Sequence, residues 1–364
     1  MNTTDYLLHQ ADDSQVALIT KTSQYTYREL RDGVARVINA LRSAGVRSSD
    51  RVGLLGENSF FWVAAYLAIM KIGAVAVPFP TVSTPEDLKR KERFINCQAV
   101  CVDRRAYGKF SASFEADARL IFDDVLYTPG NGSWIETQSA FDDRQDAAFM
   151  LTSGTTAYPR AVRVTHRNIQ ANTDSIIDYL NLTSSERILV VLPFYYCFGT
   201  SLLHTHLRAG GTLVLCNTFA YPETALEMIE EKKCTGFAGV PSTFQTLLRN
   251  TSFKQRKLPS LKKVQQAGGK LQVVFIQELI QALPHAQVFV MYGQTEATAR
   301  LSYLPPELLP TKIGSIGKGI PGVTLRVWDE SGNDVKPGEV GEIYAWGENI
   351  SPGYYNEPVA SAEK

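Results

Sequence analysis

Residues 151–166, LTSGTTAYPRAVRVTH, gather the kinds of side chain that hold phosphate. Thr152, Ser153, Thr155 and Thr156 offer hydroxyl donors, Gly154 lets backbone N–H groups approach an anion, and Arg160 supplies a forked cation. An apolar run leads in at 148–151 and an alternating run leaves at 161–165, which predicts strand, loop, strand. The common nucleotide loop G-x-x-x-x-G-K-S/T is excluded, because Pro159 stands where its second Gly would be and Arg160 where its Lys would be. Taken alone, the run also fits a hydroxyl-rich surface turn.

Three more segments carry groups that could do chemistry. MYGQTEAT, at 291–298, sets a tyrosine, a threonine and a carboxylate directly after an apolar run. By itself Tyr292 reads equally as the last side chain of a buried strand, and Glu296 as an acid favoured by a helix dipole. QAGGKL, at 266–271, is a glycine turn, and LPFYYCFGTSLL, at 192–203, is either the wall of an apolar pocket or the entry to a core helix. His204 and His206 sit two apart on a helical pattern, so they face different sides and do not make a metal pair.

Taken together, these blocks resemble the acyl-adenylate-forming superfamily: acyl-CoA synthetases, luciferases and the adenylation domains of peptide synthetases. TSGTTAYPRAVRVTH is similar to its phosphate loop, MYGQTEAT to its Y-G-x-T-E block, and GEVGEIYAWGENISPGY (338–354) to its G-E to G-Y block. QAGGKL stands where the family has an adenine-binding turn, and GSIGKGIPG (314–322) where it has G-S-x-G-x-x-x-P-G. The resemblance implies a reaction in which a carboxylate attacks the α-phosphorus of ATP, giving acyl-AMP and pyrophosphate. The acyl group then passes to the thiol of coenzyme A or of an acyl- or peptidyl-carrier protein.

The resemblance also implies a role for each matching residue. Thr152, Ser153, Gly154, Thr155, Thr156 and Arg160 would grip the phosphates. Gly268, Gly269, Lys270, Tyr292, Gly293, Gln294 and Thr295 would hold adenine and AMP. Tyr196, Cys197, Phe198, Gly199 and Ala267 would line the acyl pocket. Thr295, Glu296 and Arg160 would serve the chemical step, and Glu296 with Thr155 would bind Mg²⁺, a hard cation that prefers oxygen ligands shared with phosphate. Members that activate amino acids carry an Asp one position after Tyr196; Cys197 stands there, which favours a fatty or aryl acid over an α-amino acid. Departures from the pattern, Ala157, Arg160 and Ala161 in the loop, point to a second reading: a remnant that binds nucleotide or acyl ligand without turnover.

The remaining sequence must position these groups. At 364 residues and 44% apolar, the chain can build a large core, and equal counts of Lys+Arg and Asp+Glu, 37 each, give no general attraction for nucleic acid. Five scattered cysteines form neither a disulfide framework nor a zinc motif, which suits a cytoplasmic protein. The apolar runs near 60–80 and 188–203 are broken by Lys71, Pro78 and Pro193, so no membrane span is expected. Thr26 with Glu29 forms a capping box before a stripe of Leu30, Val34, Val37, Ile38 and Leu41 that Gly45 ends. Helices are also predicted over 61–71 and from Thr84-Pro85 onward.

Strands are predicted at 51–55, 74–77, 99–102, 188–191, 212–215, 236–238, 264–267 and 288–291. This alternation predicts an α/β fold of largely parallel layered sheets flanked by helices. Two α/β subdomains, 1–165 and 166–303, are expected to precede a β-rich, barrel-like unit over 304–364, where strands at 324–328 and 342–346 flank a turn-rich connection. On the resemblance, 1–364 correspond to the large N-terminal adenylation domain, and the C-terminal domain that brings a catalytic Lys is absent.

Overall fold

The capping box at Thr26 is made on both sides: the Glu29 N–H donates to Thr26 Oγ1 (3.2 Å) and the Thr26 N–H donates to Glu29 Oε2 (2.7 Å). It opens the helix Tyr27–Ser43, whose apolar stripe is fully buried. The next helix, Phe60–Lys71, is capped by Ser59 and buried on all sides. A helix this apolar, charged only at its last residue Lys71, belongs in the core of a large domain. Among the described residues no helix is long and apolar enough to cross a membrane. The computed structural model describes residues 1–128, 134, 141–152, 160–217 and 219–363.

The strands assemble into a six-stranded sheet, a nine-stranded sheet and a two-stranded sheet. The six-stranded sheet runs Leu120–Phe122, Ala99–Val102, Arg51–Leu55, Val75–Phe79, Asp146–Thr152, Arg160–Thr165. It is parallel except for the last pair, which is antiparallel and sets Thr152 opposite Arg160. That pair contains the two strands predicted around the loop. Ser153, Gly154, Thr155, Thr156 and Ala157, in its loop, lie outside the described residues.

The centre of the nine-stranded sheet is parallel: Gln287–Tyr292, Lys263–Gln266, Gly236–Gly239, Arg187–Val190, Thr212–Leu215 and Val16–Ile19. Antiparallel strands close both edges, Ser302–Leu304 with Lys318–Gly319 at one and Gln24–Thr26 at the other. Val16–Ile19 thus pairs with Thr212–Leu215, far along the chain. Thr324–Trp328 and Glu342–Trp346 form the two-stranded antiparallel sheet, in register Thr324 to Trp346; with two strands it does not close on itself.

The helices Tyr27–Ser43, Phe60–Lys71, His166–Leu180 and Cys197–Ala209 contribute to one core that also takes side chains from both large sheets, such as Val52, Leu54, Ile188, Val190 and Leu213. A second core packs Pro222–Glu231, Pro241–Asn250 and Val273–Ala282 against the nine-stranded sheet. A third packs Pro85–Ile95 on the six-stranded sheet. Parallel strands buried on both faces need this covering, so their sequences read as continuous apolar runs.

Candidate active site

Gln266 of one strand pairs with Val290 of its parallel neighbour, so the turn Gly268–Gly269 and the segment from Tyr292 onward emerge side by side at the carboxyl ends of adjacent strands. In open parallel sheets this edge is where ligands bind. Gly268 has φ +80°, which a side chain would strain, and the Gln266 amide donates to the Gly269 carbonyl at 2.8 Å. Lys270 and Gln294 are exposed, Ala267 is buried, and Tyr292 and Gly293 are half-buried.

The chain turns sharply after Tyr292. A Cβ on Gly293 would sit on the Ala299 carbonyl oxygen, so only glycine allows this approach. Thr295–Ala297 form one 3-10 turn, and Thr298 follows at φ +66°, a strained backbone for a β-branched residue. The strain is held by the 348–355 segment. Thr298 Oγ1 donates to the Asn349 carbonyl (2.7 Å), the Asn349 amide donates to the Ala297 (3.3 Å) and Arg300 (3.0 Å) carbonyls, and the Ser351 N–H donates to the Glu296 carbonyl (2.8 Å). The same segment lies along the hairpin: the Arg163 N–H donates to the Gly353 carbonyl (2.9 Å) and the Tyr355 N–H to that of Ala161 (2.8 Å). Two motifs more than 50 residues apart thereby form one surface with the strands of the Asp146–Thr165 hairpin.

On that surface, Tyr354 Oη donates to Glu296 Oε1 at 2.7 Å. Burial, then the Glu296 carboxylate, pushes the Tyr354 phenol up to about 12. The Arg160 guanidinium lies 5.2 Å from the Tyr354 ring centroid and 3.4 Å from Glu357 Oε2, and its Nε has no hydrogen-bond partner. On the other side of the turn, Thr295 Oγ1 donates to Cys197 Sγ at 3.6 Å. Burial raises the Cys197 thiol, against the pull of Thr295 and of the Arg300 charge.

The structure thus gathers Arg160, Thr295, Glu296, Cys197 and, one residue further, the buried Phe198. Gly199 lets the helix start against Pro193, whose carbonyl a Cβ would meet. Tyr196 is different. It is 50% exposed and its ring contacts that of Tyr195, centroids 4.6 Å apart. His204 and His206 are core residues, with His204 Nε2 3.0 Å from Tyr66 Oη and His206 Nδ1 2.9 Å from the Leu202 carbonyl. Sequence reasoning did not single out Tyr354, Asn349 or Arg300. The signal for Arg300 was a charge inside an otherwise apolar run, ARLSYL.

Among the described residues no group of three or more His, Cys, Asp or Glu could enclose a metal ion. Glu296 offers a single carboxylate beside the hairpin mouth, which fits a Mg²⁺ that keeps waters and arrives on a polyphosphate. A separate cavity of about 700 Å³, lined among others by Tyr25, Phe60, Asp103 and Lys109, contains none of these residues.

Residues 9–355 match the family of AMP-binding enzymes. This chain belongs to that family. Among its relatives, a feruloyl-CoA synthase of Amycolatopsis sp is 31% identical over 352 residues, covering 93% of this chain and 68% of that protein. The acyl-CoA ligase sidI of Aspergillus fumigatus is 25% identical, over 94% of this AMP-binding chain and 63% of its own length. The chain therefore spans about two thirds of these curated relatives. The crystal structure of VinN matches all of it and 92% of VinN at a TM-score of 0.89 and 26% identity. The inhibitor-bound N-terminal domain of FACL13 from Mycobacterium tuberculosis gives a TM-score of 0.91 at 21% identity, covering 93% of that chain, a likeness of fold.

Proposed function

We propose that this chain binds MgATP and a carboxylic acid and joins them as acyl-AMP with release of pyrophosphate, as the first step of an AMP-forming acid–thiol ligase. The acyl group then goes to the thiol of coenzyme A or of a carrier protein. The observation that carries this reading is the meeting of Arg160, Glu296, Thr295 and Cys197 at the carboxyl edge of parallel strands, beside the phosphate hairpin. Attack of a carboxylate on a polyphosphate brings like charges together, so the site needs fixed cations and donors where charge develops.

In this reading Arg160, whose Nε makes no hydrogen bond although it lies 3.4 Å from Glu357 Oε2, turns its donors to the phosphates together with Thr152, Ser153, Gly154, Thr155 and Thr156. Thr295 donates to the α-phosphate. Glu296, steadied by the Tyr354 hydroxyl, is the protein's ligand to Mg²⁺, with Thr155, and the metal would neutralise phosphate charge. Tyr292 and the Gly268–Lys270 turn hold adenine, with Gly293 and Gln294 beside them. Cys197, Phe198, Gly199 and Ala267 form an apolar wall for the acid, which suits a fatty or aryl acid, and Tyr196 borders its open end.

Carboxylate-dependent exchange of labelled pyrophosphate into ATP, by a version of the chain extended past Lys364, tests the reaction. Exchange that needs both an acid and Mg²⁺ supports it. Stabilisation by acyl-adenylate analogues with no exchange would overturn turnover and leave a binding remnant.

A further inference from the structure

Four residues beyond Glu296 the chain buries a second charge. Arg300 is 1% exposed. Its Nε donates to Tyr179 Oη at 3.3 Å, and its guanidinium lies 4.4 Å from the Phe198 ring centroid. Nη2 is buried with no hydrogen-bond partner. Among the described residues no ion pair includes Arg300. A guanidinium has five donors and no way to shed its charge in a protein, so burying it beside a phenol and a ring face alone is costly.

Packing does not account for the residue type. The Arg300 carbonyl accepts from Asn172 (3.0 Å) and Asn349 (3.0 Å), but any residue's backbone would do so. Tyr179 is already fixed without it, stacked on Tyr303 with centroids 4.1 Å apart and donating to Met291 Sδ at 3.1 Å. The position is informative. Phe198, under the guanidinium, follows Cys197, and Cys197 accepts from Thr295, so Arg300 stands at the inner end of the wall that begins at Thr295. The Arg300 charge is felt at the Cys197 thiol, which places the two groups in one neighbourhood.

We propose that Arg300 recognises a second carboxylate on the substrate, at the end remote from the carboxylate that is activated, so that the acid taken by this chain is a dicarboxylic acid. The inference rests on the acid-activating reading above and changes its substrate class: a methyl-ended fatty acid gives way to an acid that carries a second carboxylate. A methyl-ended acid would leave the guanidinium buried and uncompensated, an ammonium-ended one would be repelled, and a carboxylate would form the forked pair that Arg is shaped for.

The test is equilibrium binding of non-hydrolysable acyl-sulfamoyl adenosines: unacylated, hexanoyl, and the length-matched adipoyl with a free terminal carboxylate, with succinyl as a shorter diacid. A diacid analogue is expected to bind the wild-type chain on the order of 100-fold more tightly than hexanoyl, since a site built around a buried polar group strongly rejects a ligand that leaves it unpaired. Arg300→Met should reverse that order. Equal or tighter binding of the hexanoyl analogue by the wild-type chain overturns the proposal, and this comparison decides even if Arg300→Met does not fold. If the unacylated compound also fails to bind, the nucleotide reading falls. Thermal stabilisation by free adipate or succinate against hexanoate then decides Arg300 alone: a diacid preference upholds its role, and none overturns it.

Discussion

Glu296 and Arg300 lie on one short segment and carry opposite charges in opposite settings. Glu296 is half-buried at the mouth of the site, with Tyr354 donating to it and Arg160 against the Tyr354 ring. Arg300 is sealed inside, with a phenol and a ring for company and one nitrogen unbonded. The outer charge belongs to a polar surface assembled from three stretches of chain, the kind of surface the proposed nucleotide reaction requires. The inner charge has no such surface, and its uncompensated state is what a selective ligand can relieve. In the proposed reading, reaction and selection are separated by a single turn.

Both ends hang on that turn, so its disruption has the largest expected effect. Gly293→Ala drives a methyl into the Ala299 carbonyl. Backbone cannot yield as a flexible side chain can, and a loss on the order of 3 kcal/mol in denaturant unfolding is expected, together with loss of nucleotide and acid binding at once. A variant that keeps either binding mode would break the idea that one turn sets both charges.

Next is Glu296→Gln, which removes the outer charge while keeping its shape. Mg²⁺-dependent ATP binding should weaken roughly 30-fold, about 2 kcal/mol, measured by titration with and without the metal. Stability should change little, because the Tyr354 hydroxyl can donate to an amide oxygen. Unchanged ATP affinity would remove Glu296 from the metal site and erase the contrast with Arg300.

The outer end was far more legible in the sequence than the inner one. Thr295 and Glu296 stand in a compact motif that is picked out by resemblance to a known block, and the helix Tyr27–Ser43 announced itself through Thr26 and Glu29. The strand Arg51–Leu55 follows its apolar run. What the letters did not disclose depends on contacts between distant segments. Val16–Ile19 joins a sheet through Thr212–Leu215, a partner no local pattern specifies. Tyr354 meets Glu296 only because its segment pairs along the hairpin strand. Arg300 reads as an ordinary charge until the fold closes Tyr179, Phe198 and Asn172 around it.

The smallest effect expected, and the sharpest on how the outer charge is held, comes from Tyr354→Phe. Removing a hydroxyl that donates to a carboxylate at the edge of solvent should cost about 1 kcal/mol at neutral pH. It should weaken ATP binding less than Glu296→Gln does. The pH dependence identifies the cause. In the folded chain the phenol is pushed up to about 12, by burial first and Glu296 second, against an ordinary value of 10.0. A raised value means that the folded state holds the proton more tightly. The contribution is complete below pH 10 and is lost as the pH rises through about 12, because the unfolded chain gives up its proton first. Wild-type stability should therefore fall across that window more steeply than that of Tyr354→Phe, so that the two curves converge. Parallel curves would mean that the hydroxyl does not hold Glu296 in solution, and the outer carboxylate would then be as unpartnered as the arginine four residues on.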